Sequence, residues 1–315
     1  MEDHNQSSAA KDFILVGFPS LQNLQTALFL VFLLSYLVVL SGNLMILCAV
    51  VLDQKLHKPM YFLLSNLSVI DILCTTTIVP KMLAMFLFNA KAISFHGCFI
   101  QMYFFHSLAG SECFLLVTMA YDRYVAICIP LHYTTKMTNM VNIYLAASVW
   151  IIALLLPLPA VIQTSQLRFC SPYKVMHCFC EHLSVVQAAC SDTTSQASMG
   201  SSLAMVVSTF PLLLVSLSYL NIIRAILKIS SKEGRQKAFS TCTSHLIVVI
   251  TYYTSIGVSY ISYKADMAID FHVMGNVIYA ILTPMVNPMI YTLRNKEMKD
   301  AIAKLLHIER KQEAR

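Results

Sequence analysis

Two acids stand inside apolar stretches where an ionised side chain is costly. Asp71 lies within Ser68-Val-Ile-Asp-Ile-Leu73 and Glu112 within Gly110-Ser-Glu-Cys-Phe-Leu115. An ionisable group at such a place is a functional candidate with a partner to be found. At a helical rise of about 1.5 Å per residue, Asp71 sits roughly 18 Å above Pro59, and Glu112 roughly 16 Å above Arg123. The two carboxyls therefore share a depth, with Asn43 and Asn287 within a turn or two of it. Three arrangements satisfy such a layer. One carboxyl keeps its proton, a small hard cation such as sodium sits among oxygen ligands, or a hydrogen-bond network simply joins the helices.

A second group is Asp122-Arg123-Tyr124. In isolation it reads as a neighbouring ion pair at a helix end, but an arginine held by an adjacent aspartate is also a latch that can be released to a partner. Pro284 and Pro288 bracket Asn287, with Tyr291 beyond. Prolines free backbone carbonyls and bend a helix, which gives either a plain kink or a hinge.

The elements that must hold these groups follow from hydropathy. The 315 residues are 57% hydrophobic and only 12% charged, against about 25% charged in a soluble domain. Seven stretches of membrane-crossing length occur, at about 25–51, 60–87, 97–128, 142–163, 197–228, 238–263 and 272–293. They predict an all-α, seven-helix bundle as one unit over 1–315, with an outer tail (1–24), helices (25–293) and an inner segment (294–315). With the N-terminus outside, sixteen of the 22 Lys and Arg residues fall on the inner side and five outside, while the acids show no bias. That is the positive-inside pattern. The net charge of +6 is thus topology, and no nucleic-acid partner is implied. Met298, Ile302, Leu305 and Leu306 alternate with Lys296, Lys299 and Lys304, as in a short amphipathic helix on the inner membrane face. Arg224, Lys228, Lys232, Arg235 and Lys237 crowd the connection between spans five and six, suited to lipid head groups and to a cytoplasmic partner alike.

Asn5-Gln-Ser7 is a glycosylation acceptor on the outer tail, whereas Asn66-Leu-Ser68 falls inside a span. Of ten cysteines, Cys48, Cys74, Cys113, Cys128 and Cys242 lie in spans or at their inner ends. Cys98, Cys170, Cys178, Cys180 and Cys190 lie outside, where disulfides form. Five is odd, so at least one is unpaired.

Longer strings carry a resemblance: Pro59-Met-Tyr-Phe-Leu-Leu-Ser-Asn-Leu-Ser68, Met119-Ala-Tyr-Asp-Arg-Tyr-Val-Ala-Ile-Cys128, Lys237-Ala-Phe-Ser-Thr-Cys-Thr-Ser-His-Leu246 and Pro284-Met-Val-Asn-Pro-Met-Ile-Tyr-Thr-Leu-Arg-Asn295. Together with Ser41-Gly-Asn43, Pro80-Lys-Met82, Pro130-Leu-His-Tyr133 and Ser218-Tyr219, they resemble odorant receptors of the rhodopsin-like, G-protein-coupled type, in the tetrapod-type class. The resemblance implies a small hydrophobic odorant as ligand and a stimulatory, olfactory-type G protein raising cAMP. It also implies the plasma membrane of olfactory sensory cilia as location. It assigns activation roles to Arg123, Tyr219, His245 and Tyr291, and pairs Cys98 with Cys180 and Cys170 with Cys190, leaving Cys178 spare. His177, Cys180, Glu181 and His182 resemble a copper or zinc motif proposed for the family. A disulfide-bonded Cys180 cannot be a thiolate ligand, though Cys178 could replace it.

Stripes in the outer half match the family's pocket positions. They are Phe105, His106, Ala109 and Gly110 on span three, Tyr253, Ile256, Gly257 and Tyr260 on span six, and Leu203 and Val207 on span five. A mostly apolar pocket with a few polar groups suits an alcohol, aldehyde or ketone. Span seven has no lysine for a retinal Schiff base, and Phe105 stands where an aminergic receptor needs an aspartate. A transporter or channel would use Asp71 and Glu112 as a pathway, but the halves show no repeat. No nucleophile, base and orienting group occur together, so no enzyme and no cofactor is expected beyond a sodium ion near Asp71 and Glu112.

Overall fold

The computed structural model describes residues 12–264 and 267–313. Seven long helices form a bundle: spans one (Gln25–Leu52), two (Pro59–Phe88), three (Phe95–Cys128), four (Asn139–Leu155, continued by Leu158–Ser165), five (Thr194–Leu227), six (Lys232–Lys264) and seven (Ile269–Arg294). Local chemistry sets several ends. Pro59 opens span two at a position whose N–H needs no partner, and Asn89 closes it in the left-handed conformation at φ 54°. The Ser94 hydroxyl accepts from Gly97 N at 3.1 Å and Thr138 from Val141 N at 3.3 Å. Prolines 80, 211, 284 and 288 lie inside spans two, five and seven.

Among the described residues, six of these helices are long and apolar enough to cross a bilayer alone. Span three joins them only together with Pro130–Lys136, from which it is bent by 113°. The reason is its place. Span three packs against spans two, four, five and six. It therefore buries Gln101, Ser107, Ser111, Glu112, Thr118, Asp122 and Arg123 in protein rather than lipid. Span one is the opposite case, turning Val31 and Leu34 outward at 57% and 62% exposure.

The outer end carries a small sheet beyond the predicted helices. β1 (Phe13–Leu15) pairs antiparallel with β2 (Ala92–Ile93) and parallel with β3 (Lys174–Val175), in the order β2-β1-β3. Phe13 and Leu15 point inward and are fully buried, while Ile14 faces out. Phe13 meets Phe169 at 5.0 Å, and Phe95 meets Phe99 at 4.7 Å. The outer tail is thus partly a strand. Two disulfides pin this lid, Cys98–Cys180 and Cys170–Cys190, the pairing the resemblance implied. Cys178 is free and buried.

At the inner end, Lys296–Glu313 forms the expected amphipathic helix, burying Met298, Ala301 and Ile302. It is clasped to the turn before span two by Lys58–Glu297 (2.7 Å) and Lys304–Asp53 (2.9 Å). Asn66 lies within span two, donating to Phe62 O and accepting from Trp150 Nε1 at 3.1 Å, away from any glycosylating compartment. Asn5 lies outside the described residues.

Candidate ligand pocket and activation latch

The outer half of the bundle encloses a cavity of about 610 Å³. All of the predicted ligand residues border it: Phe105, His106, Ala109 and Gly110; Leu203 and Val207; Tyr253, Ile256, Gly257 and Tyr260. The sequence stripes missed its roof, formed by Glu181, His182 and Leu183, and its span-seven wall, His272, Asn276 and Tyr279. Asn276 and Tyr279 recur at i, i+3, a signal the same stripe logic would have found. Tyr260 differs from its companions, being 51% exposed on the bundle surface as well as bordering the cavity.

The walls are mostly apolar, but among the described residues the buried His106 Nε2 and Tyr253 Oη lack a hydrogen-bond partner. Such atoms are expensive unless something else satisfies them. The floor is a fixed knot. Tyr252, fully buried, meets Cys113 Sγ at 2.9 Å, Tyr279 Oη at 3.1 Å and Ala109 O at 3.0 Å, tying spans three, six and seven together. The roof is held as firmly. Glu181 caps the short helix His182–Gln187, accepting from Leu183 N at 3.0 Å and Ser184 N at 2.8 Å. His182 Nε2 meets Thr164 Oγ1 at 3.0 Å. Gly200 of span five lies directly beneath, where any Cβ would overlap the His182 ring.

Burial sets the charge states of this roof. It pushes His177 down to about 4 and the Cys178 thiol far up, so that Cys178 is an inert thiol. Burial alone would raise Glu181, but His177 and the N–H groups of Ser184 and Leu183 outweigh it and hold the carboxyl below its ordinary range. Among the described residues, no three His, Cys, Asp or Glu side chains are grouped to hold a metal. Cys180 is bonded to Cys98, so the His177, Cys180, Glu181 motif offers no thiolate at that position, and the possible substitute Cys178 is a free, buried thiol.

Midway down, Asp71 accepts from Asn287 Nδ2 at 3.0 and 3.3 Å, and Asn43 Nδ2 donates to Pro284 O at 3.1 Å. Asp71 and Glu112 are both buried. Among the described residues, Glu112 Oε1, Asn43 Oδ1, Ser68 Oγ and Thr283 Oγ1 are buried without a hydrogen-bond partner.

The inner face opens as a second cavity of about 800 Å³, bordered by Asp122, Arg123, His245 and Tyr291. Asp122 grips Arg123 Nε at 3.0 Å through one oxygen and accepts from Tyr133 Oη at 2.8 Å through the other. Tyr219 Oη and His245 Nδ1 meet at 2.7 Å with stacked rings. Among the described residues, Tyr291 Oη is without a hydrogen-bond partner. Tyr124 turns elsewhere, stacking on Tyr121 at 6.5 Å. Tyr133 was not anticipated, since nothing in Pro130-Leu-His-Tyr133 says the chain folds back onto Asp122.

A family model described as olfactory receptor matches residues 32–309. The chain belongs to the olfactory receptor family. It is 59% identical to human olfactory receptor 2AT4 over 93% of this chain and 92% of that protein. It is 44% identical to human olfactory receptor 6N1 (97% and 98%) and 43% identical to mouse olfactory receptor 6B9 (94% and 93%). The receptor is therefore a multi-pass protein of the plasma membrane, of a family that binds odorants and works through G proteins, and is not an enzyme.

Proposed function

We propose that the receptor binds a small, mostly apolar, oxygenated odorant in the outer cavity and activates a stimulatory, olfactory-type G protein, raising cAMP. The observation that carries the ligand class is the pair of unpartnered buried atoms, His106 Nε2 and Tyr253 Oη, in a mostly apolar wall. One hydroxyl or carbonyl oxygen on the ligand satisfies at least one of them, while its carbon skeleton fills space beside Phe105, Leu203, Val207 and Ile256. The signal leaves through the other end. Ligand bridging spans three and six biases the Tyr252 knot, and the Arg123 latch releases Asp122 as the inner cavity widens around Tyr219, His245, Asn287, Pro288 and Tyr291. The mid-membrane layer takes up one compensating positive charge, as a sodium ion or as a proton shared by Asp71 and Glu112.

Screening a chemically diverse odorant panel in a cAMP reporter cell tests this. Agonists are expected among alcohols, aldehydes and ketones. Arg123→Ala abolishes the response at unchanged surface expression, and His106→Ala weakens oxygenated agonists by about tenfold, the value of one buried hydrogen bond. Odorant-evoked ion flux that persists without any G protein would overturn the reading.

A further inference from the structure

Among the described residues, the roof and the sides of the cavity differ in their exposure. Its roof is the Glu181–Leu183 turn, with His182 buried, next to the Cys98–Cys180 bridge. On its span-four wall Ala153, Pro157, Ala160 and Val161 are buried and Leu156 is partly buried. Span five is different. Each of its buried residues, Pro211, Val215, Tyr219, Ile222 and Ile226, lies from Pro211 inward, and the outer part carries none. Ala204, Met205 and Leu212 border the cavity and yet are exposed on the bundle surface, as is Tyr260 across the gap on span six. Beside Tyr260, Gly257 also borders the cavity, with no atom within 4 Å of where a Cβ would stand.

We infer that the odorant reaches the cavity sideways, from the outer leaflet of the bilayer, through a portal between spans five and six framed by Ala204, Met205 and Tyr260. The inference rests on the outer cavity being the odorant site. Its chemistry is that of partition. An apolar solute concentrates in the leaflet before it meets the receptor, so the lipid concentration at the portal sets the rate of arrival. Each added methylene multiplies that concentration by about four.

The test uses no odorant. Ala109→Cys places a thiol on the span-three wall of the cavity. Receptor carrying it is reconstituted in phosphatidylcholine nanodiscs and treated with N-alkylmaleimides from ethyl to octyl, or with a maleimide bearing a trimethylammonium group. Site-resolved mass spectrometry follows alkylation, with the unsubstituted chain as reference for Cys113. The expected result is a labelling rate that climbs by about fourfold per methylene, with the charged reagent excluded. Ala204→Trp or Met205→Trp, added at the portal, slows the octyl reagent. Labelling by the charged reagent as fast as by the ethyl one, or a rate independent of chain length, would overturn the portal. So would an octyl rate unchanged by both tryptophans. If no odorant evokes cAMP while labelling follows the expected series, the proposed function fails, while lateral entry of apolar solutes into the cavity holds.

Discussion

At the scale of single residues, the oxygen atoms that find no partner mark where something else belongs. Asp71 accepts from Asn287, whereas Glu112 Oε1 and Thr283 Oγ1 have no hydrogen-bond partner among the described residues. If a sodium ion supplies the compensating charge, replacing bath sodium by choline shifts odorant potency, by about tenfold for 1.4 kcal/mol of differential binding. Both Asp71→Asn and Glu112→Gln remove the shift. Potency that ignores sodium but moves with pH in the wild type, and in neither variant, assigns the layer to a shared proton instead. Dose–response curves in sodium and choline media make the measurement. The sequence disclosed the two acids through their oddity in an apolar stretch. It did not disclose Tyr133, whose bond to Asp122 depends on a turn after Cys128 that no local pattern dictates.

At the scale of elements, the lid is where pH enters. His177 is buried and held at about 4, below its ordinary 6.5, because no water reaches its ring. Above pH 6.5 neither the folded nor the unfolded chain protonates it. Between 6.5 and 4 only the unfolded chain takes up the proton, so stability falls as pH falls through that window. The loss is at most about 3 kcal/mol and is complete near pH 4. The thermal midpoint of the purified receptor is expected to drop between pH 6.5 and 4 and to drop less in His177→Gln. An equal drop in both would place the sensitivity elsewhere, His182 being next in line. The helices were legible because twenty-odd apolar residues announce themselves, and each predicted span lies within a few residues of a helix. The sheet was not. Its strands are two or three residues long, and β1 meets partners some 80 and 160 positions away, a long-range pairing that leaves no periodicity. Glu181 was read only as a metal ligand, since capping the roof helix is visible only once Leu183 and Ser184 turn back over it.

At the scale of the whole molecule, the order in which helices meet matters as much as their final packing. Span three is the axle of the bundle and, among the described residues, the one long helix too polar to pass as a membrane crossing alone. Glu112, Asp122 and Arg123 each oppose transfer into lipid, by about 2.5–3.5 kcal/mol for a charge at mid-membrane and less near its ends. During synthesis this segment leaves the ribosome before spans four to seven exist. A nascent chain truncated at residue 138 is therefore expected to lodge span three incompletely, and one extended through Ser165 to hold it fully. Glycosylation tags placed on either side of the segment report which fraction has crossed. Full integration of the shorter chain would show that span three needs no successor. The same polarity that equips the axle for signalling thus makes it a late and dependent passenger at the translocon. Export from the endoplasmic reticulum becomes a reading of whether its neighbours have arrived.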